Sequence, residues 1–353
     1  ITPEWGIGRK VALKIAYMPD THFGVYDQTI PTPDEVADAS EHLLVESELA
    51  ERVGFDGLWF PERHARAETF VPSTISLLAA VAARTQRVDI ATTVMMPTFH
   101  HPVHLAEQLA MVDNLSRGRL IFGAGVGYHE DYFKLFGVPM KDRGRRFEEC
   151  MEVINGVWTN ERFSFDGAFY QYDDILLTPK PYQKPRPPVW IGAFNDKAIE
   201  RALEWDGWVW WFPPGPDETA RVVEELRERA DKAGRKNWSV AMGLEGWLDE
   251  DERRAQQRHG SRWVREASFY DTEGLAGGAT TFQDVQQTLE TRFLTLGGRQ
   301  KWLDYLGAVR EKVNPDYVCL RIRNPNPGDG SYYPSKQECL ECIDALGQML
   351  DYL

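Results

Sequence analysis

The chain has 353 residues, 42% of them hydrophobic and 27% charged, a balance that suits a soluble globular protein with a large buried core. Its formal net charge of −14 argues against nucleic acid or an anionic membrane as a partner, because both demand a basic face. No apolar run approaches the roughly 20 residues of a membrane span.

Along the chain a short apolar run followed by a longer helical pattern repeats. VALKIAY (11–17) reads as a strand, and DEVADASEHLLVESELAERVG (34–54) as a helix closed by Gly54. FDGLWF (55–60) is strand-like, PSTISLLAAVAARTQ (72–86) helical, and VDIATTVMM (88–96) β-branched and apolar. PVHLAEQLAMVDNLS (102–116) has a period near 3.6, RLIFGAGVG (119–127) is a strand ending in glycines, and 143–158 is helical. PPVWIG (187–192), GWVWWF (207–212), SVAMGLEGW (239–247) and PDYVCLRI (315–322) supply four further strands. Strands that are apolar along their whole length signal a parallel sheet buried on both faces. An open doubly wound sheet and an eight-stranded barrel compete, and the strand count favours a TIM (β/α)8 barrel with insertions, in a single domain over 1–353.

Some segments break the rhythm. RFSFDGAFYQYDD (162–174) alternates around an Asp-Gly turn and predicts a hairpin. TPKPYQKPRPP (178–188) is a rigid connector, and 249–300 is far longer than a normal barrel loop, so a lid is expected there. Cys339 and Cys342 form a C-x-x-C in an amphipathic helical pattern with no second pair, and are read as two reduced thiols. The opening ITPEWGIGRK lacks the apolar region of a secretory signal, so the cytoplasm is the expected compartment. Because the chain opens on Ile rather than Met, a few residues are expected to precede it.

In a parallel barrel the loops after the strands converge on one functional face. Polar groups falling there include Glu62, Arg63 and His64 after the second strand, Thr92 and Thr93 at the third, and Gly125, Gly127, Tyr128 and His129 at the fourth. Gly192, Ala193, Phe194 and Asn195 follow the fifth, and Trp59, Trp210 and Trp211 are expected on the rim. The glycines at 123, 125 and 127 offer a ligand bare backbone. His100, His101 and His104 invite a metal reading, but no carboxylate stands at a partnering spacing, so they are expected to cap a helix or line the rim and no metal is expected.

The ordered set GFDGLWFPERH (54–64), AARTQRVDIATTVMMPTFHHPVHLAEQLAMVDNLSRGRL (82–120), FGAGVGYHEDYFKLFGVP (122–139), RRFEECMEVINGVW (145–158), FSFDGAFY (163–170) and PKPYQKPRPPVWIGA (179–193) resembles the bacterial luciferase-like flavin monooxygenase superfamily. The resemblance implies a TIM barrel with insertions and a flavin at its mouth. It puts His64 beside the flavin as the catalytic group that handles protons or the oxygen adduct; Glu62 and Arg63 are expected to pair with each other or to orient that histidine. It puts Thr92 and Thr93 against the ring, a junction often made across a non-prolyl cis peptide. The flavin phosphate falls near Tyr128 and the backbone around Phe194–Asp196. An arginine of luciferase itself is replaced by Val126, leaving Arg143, Arg145 or Lys197 to supply the charge.

The expected activity is a monooxygenase using reduced FMN and O2, through a flavin hydroperoxide, on a hydrophobic or aromatic organic substrate. A separate flavin reductase and a homodimer or higher homo-oligomer are the expected partners. Two alternatives stand beside it: a hydride-transferring oxidoreductase that uses the deazaflavin coenzyme F-420, and a non-catalytic flavin-binding protein.

Overall fold

A computed structural model describes residues 13–21, 30–64, 69, 71–211, 213–260, 294–322 and 336–353. Eight parallel strands close into a ring: β1 (Lys14–Met18), β2 (Gly57–Phe60), β3 (Asp89–Thr92), β4 (Leu120–Ala124), β7 (Val189–Gly192), β8 (Gly207–Trp211), β9 (Ser239–Leu248) and β11 (Tyr317–Ile322). Closure comes from β8 pairing β9 and from β11 pairing both β9 and β1. This is a TIM barrel. Helices α1 (Pro33–Arg52), α2 (Thr74–Arg84), α3 (Pro102–Leu115), α5 (Arg143–Thr159), α6 (Asp196–Ala202) and α7 (Pro216–Lys232) lie in the connections between successive ring strands.

The alternation of strand side chains builds two cores. Leu58, Phe60, Ile90, Phe122, Ile191 and Trp208 face outward under the helices. Ala16, Trp59, Ala91, Ile121, Trp190 and Tyr317 fill the barrel interior. Thr32 starts α1 with a reciprocal cap: its hydroxyl accepts from the Glu35 N–H at 3.3 Å, and Glu35 accepts from the Thr32 N–H at 2.7 Å. Glu51, at the other end of α1, accepts the N–H groups of Gln86, Arg87 and Val88 and so fixes the entry into β3.

Three features lie outside the repeat. The hairpin β5 (Arg162–Asp166) and β6 (Gln171–Leu176) turns at Gly167, and Glu149 of α5 accepts the N–H groups of Ala168 and Phe169 in that turn. A short helix, α4 (Glu130–Leu135), begins three residues after Gly127. The long β9 carries an extra parallel strand, β10 (Leu294–Gly297), on residues 245–248. Since β11 already occupies one edge of β9 up to Gly246, β10 takes the edge that β8 leaves after Gly243.

Of the lid expected at 249–300, residues 261–293 lie outside the described residues; the remainder is a helical stretch at 252–260, β10, and the start of the helix Arg299–Ala308. Among the described residues, no helix is long and apolar enough to cross a membrane.

Candidate active site

Ring strands point their C-terminal ends at one mouth, and β2 delivers Pro61, Glu62, Arg63 and His64 there. Glu62 is buried, hydrogen-bonded from two sides and approached from a third. Its Oε2 accepts the Met96 N–H, and its Oε1 accepts the Nε2–H of His100 at 2.6 Å. His64 Nε2 lies 3.0 Å from that same Oε1. Burial pushes the Glu62 carboxyl up, but the His100 and His64 imidazoles and the Met96 N–H outweigh it, so the group sits below its ordinary 4.5 and is a carboxylate at neutral pH.

The His64 ring stands edge-on to Phe136 at 4.7 Å, Tyr132 at 5.7 Å and Phe99 at 6.3 Å. Tyr132 and Phe136 come from α4 and its C-cap, whereas Phe99 closes a short helical turn after β3. An imidazole with one nitrogen on a buried carboxylate and aromatic edges around it has a fixed orientation and little water beside it.

The end of β3 differs from its expected arrangement. The cis peptide is Thr93–Val94, one residue beyond the threonine pair. Thr92 donates its hydroxyl to the Gly123 carbonyl at 2.6 Å, tying β3 to β4, while no partner for Thr93 Oγ1 is found among the described residues. The glycine wall is not bare, because Val94 fills it. A Cβ on Gly125 would meet Val94 Cγ2 at 2.6 Å, and one on Gly192 would meet both Val94 methyls at 3.1 Å. On Gly123 it would strike the Thr92 carbonyl oxygen at 2.0 Å. These glycines admit Val94 and the neighbouring strand.

The residues expected near a phosphate are placed as follows. Gly125 donates its N–H to the Met95 carbonyl, and Gly127 adopts a left-handed φ of 86° just before Tyr128. Arg63 donates to the Tyr128 hydroxyl at 3.3 Å, which brings a guanidinium to that turn. Ala193 is buried and its carbonyl accepts from Trp208, Phe194 is exposed, and Asn195 caps α6 by accepting the Ala198 N–H. Arg143 and Arg145 are engaged with the Met140 carbonyl and Asp142, and Lys197 is exposed.

Two expectations about the rim are corrected. Trp59 is fully buried in the barrel interior against Trp190 and Tyr317, and Trp210 faces outward, stacked on Trp208 at 4.9 Å; only Trp211 reaches the mouth. Strand alternation separates Trp210 from Trp211, and depth removes Trp59. The histidines after β3 also divide. His101 occupies the N-cap of α3 with no side-chain capping bond and lies 3.4 Å from the Tyr172 hydroxyl, while His100 turns to Glu62.

One feature went unread in the sequence. Inside the mouth, Arg321 of β11 lies 3.4 Å from Glu245 of β9 and 3.7 Å from Asp20, all three buried. Trp211 donates its indole N–H to the same Glu245 at 2.7 Å. The pattern signal was available: Arg321 and Glu245 interrupt apolar strands at inward-facing positions. At the other end of the barrel, a cavity of about 550 Å³ is lined by Lys14, Asp89, Asp206 and Tyr317. Its charges pair among themselves and it lies at the strand starts, the end of such a barrel that serves stability rather than chemistry.

The model of the luciferase-like monooxygenase family matches residues 21–304. The chain belongs to that family. It is 28% identical over 293 residues to limonene 1,2-monooxygenase of Rhodococcus erythropolis, covering 78% of this chain and 74% of that one. It is 31% identical over 237 residues to an F-420-dependent glucose-6-phosphate dehydrogenase of Nakamurella multipartita, covering 64% of this chain and 67% of that one. The FMN complex of the oxygenating constituent of 3,6-diketocamphane monooxygenase from Pseudomonas putida superposes with a TM-score of 0.78 at 16% identity, over 96% of this chain and 98% of that one, a likeness of fold. The family includes both FMN-dependent monooxygenases and F-420-dependent oxidoreductases, and an enzyme of the oxidoreductase class is the reading it carries.

Proposed function

We propose that this family member is a monooxygenase that takes reduced FMN at the barrel mouth and oxidises a hydrophobic or aromatic organic substrate with O2. The observation that carries the reading is the buried Glu62 carboxylate shared by His64 and His100 inside an aromatic enclosure. The residues fit a flavin: Thr93 presents a buried hydroxyl with no partner among the described residues, Val94 offers an apolar wall beside it, and Arg63 stands at the Tyr128 turn. When bound, reduced FMN supplies the electrons with which O2 delivers one oxygen atom to the substrate.

The chain's own part is positional and protonic. Thr93 and Val94 hold the ring system, and Gly127, Tyr128 and Arg63 hold the polar tail. Phe99, Tyr132 and Phe136 keep water from the reacting face. With Nε2 3.0 Å from the Glu62 carboxylate, His64 keeps Nδ1 for proton exchange with the bound molecules; Glu62 stabilises the imidazole when it carries the extra proton, and His100 keeps Glu62 ionised and in place. No separate nucleotide-binding domain occurs among the described residues, so reduced FMN is supplied by a partner reductase in this reading.

A second reading has a specific observation behind it. The buried Asp20, Glu245 and Arg321 at the floor of the mouth suit a polar alcohol or carbonyl, and with F-420 the same site would transfer a hydride without oxygen. The test is to supply chemically reduced FMN, isotopically labelled O2 and a panel of terpenes and aromatic ketones. Label appearing in a product supports the oxygenase. Alcohol oxidation with F-420 under anaerobic conditions, and no label incorporation with FMN, replaces it with the second reading.

A further inference from the structure

A second group of chemically capable side chains lies outside the barrel, at the seam where β1 pairs β11. Helix α1 follows β1, the helix Lys336–Leu350 follows β11, and the two helices pack together. One turn apart on α1, His42 and Glu46 are both buried, with His42 Nε2 2.8 Å from Glu46 Oε1. Cys339, in the first turn of the other helix, is fully buried, and one donor atom each from His42, Glu46 and Cys339 lies within 4.8 Å of the other two. Cys342 is buried one turn further along.

We infer that His42, Glu46 and Cys339 form a binding site for a divalent transition-metal ion of the zinc class, a staple between the helices that flank the barrel seam. The donor set is one imidazole nitrogen, one carboxylate oxygen and one sulfur. That mixture suits Zn2+, and it is wrong for Ca2+ or Mg2+, which take oxygen donors. Zinc–ligand bonds of roughly 2.0–2.3 Å put neighbouring donors between 3 and 4 Å apart, about one ångström closer than the present outer limit, within reach of side-chain rotation. The charges also balance, since a dication with one carboxylate and one thiolate is neutral, as a buried site requires.

Binding forms the Zn–S bond and breaks the S–H bond of Cys339, and the proton leaves to solvent. Without the ion, burial and then the neighbouring Glu46 hold the Cys339 thiol well above its ordinary range, and Cys342 is pushed up to about 12, so neither ionises unaided. Tyr17 of β1 donates its hydroxyl to Glu46 Oε2 at 2.6 Å, the outer bond that orients a ligating carboxylate. The fourth position falls to water. The C-x-x-C thus has a second pair after all, in the His42-x-x-x-Glu46 of α1, and only the packing of the two helices reveals it.

The test uses the whole chain, kept reduced and stripped with a chelator, then titrated with Co2+. One equivalent should produce thiolate-to-cobalt charge-transfer absorption together with the visible bands of tetrahedral cobalt, and zinc should displace both. Saturating zinc should raise the Tm by about 5 °C. Cys339→Ser should abolish the charge-transfer band with far-ultraviolet circular dichroism unchanged; if that variant does not fold, the wild-type titration decides. A wild-type chain that shows no such band and whose Tm ignores zinc overturns the site, leaving a metal-free core network. A band that survives both His42→Ala and Cys339→Ser overturns it as well, by placing the metal elsewhere.

Discussion

Glu62 is the residue on which the polar chemistry of the mouth converges. It holds two histidines and a backbone N–H at once, so its loss is felt at several atoms. In Glu62→Gln one oxygen is exchanged for an amide that cannot accept, and the variant should lose about 1–3 kcal/mol at neutral pH by chemical denaturation. The pH dependence follows from the direction of its shift. The folded carboxyl sits below its ordinary 4.5, so its stabilising contribution is complete above that value and is lost as pH falls through the lower folded value. Stability measured below pH 4.5 should therefore fall more steeply for the wild type than for Glu62→Gln, and parallel curves would count against a carboxylate held by His64 and His100. For catalysis, His64→Ala should reduce turnover by about 10²-fold or more while flavin binding is largely kept. Turnover within a few-fold of wild type would make His64 structural.

At the scale of elements, the contact of β3, β4 and β7 through Val94 is a lock made from one side chain and three glycines. Gly125→Ala should cost about 1–3 kcal/mol, because its methyl meets Val94 Cγ2 at 2.6 Å. Adding Val94→Ala should restore part of that loss, and additivity in a double-mutant cycle would deny the contact. Gly123→Ala should not be rescued this way, since its obstacle is the Thr92 carbonyl of the backbone.

The same elements show what the sequence could reveal. Uninterrupted apolar runs such as LIFG and WVWW announced the ring strands because both faces of a closed barrel are buried. The four-residue β10 gave no such signal: it is an edge addition paired with the overhang of β9. His64 was legible from its place after a strand and from the family resemblance. The other histidine at Glu62, His100, was not, because its bond to Glu62 runs between consecutive loops and depends on how β2 and β3 are registered, Phe60 opposite Thr92. Val94 was missed because glycines in a strand signal a close approach without naming what approaches. Trp59 and Trp210 were misplaced for a simpler reason, since composition counts tryptophans but not the depth or face of each.

At the scale of the whole molecule, the barrel's two ends carry different electrostatics. The strand-start end pairs its charges in short links such as Lys14–Asp89 and Arg227–Asp316, while the mouth buries Arg321 between Glu245 and Asp20. Arg321→Met would leave two buried carboxylates without their cation and should destabilise the chain by about 3–5 kcal/mol by denaturant titration, far more than removing a surface charge; a loss under 1 kcal/mol would mean the triad is solvated.

The family includes FMN-dependent and F-420-dependent members, and the choice between the two coenzymes defines the chemistry. The most direct test is an anaerobic titration of the purified chain with chemically reduced FMN and, separately, with reduced F-420, followed by calorimetry. Saturable one-to-one binding of reduced FMN, tighter than that of F-420 and weakened in Thr93→Val, is the result expected of the proposed oxygenase. Tight binding of F-420 with no heat from reduced FMN would contradict it.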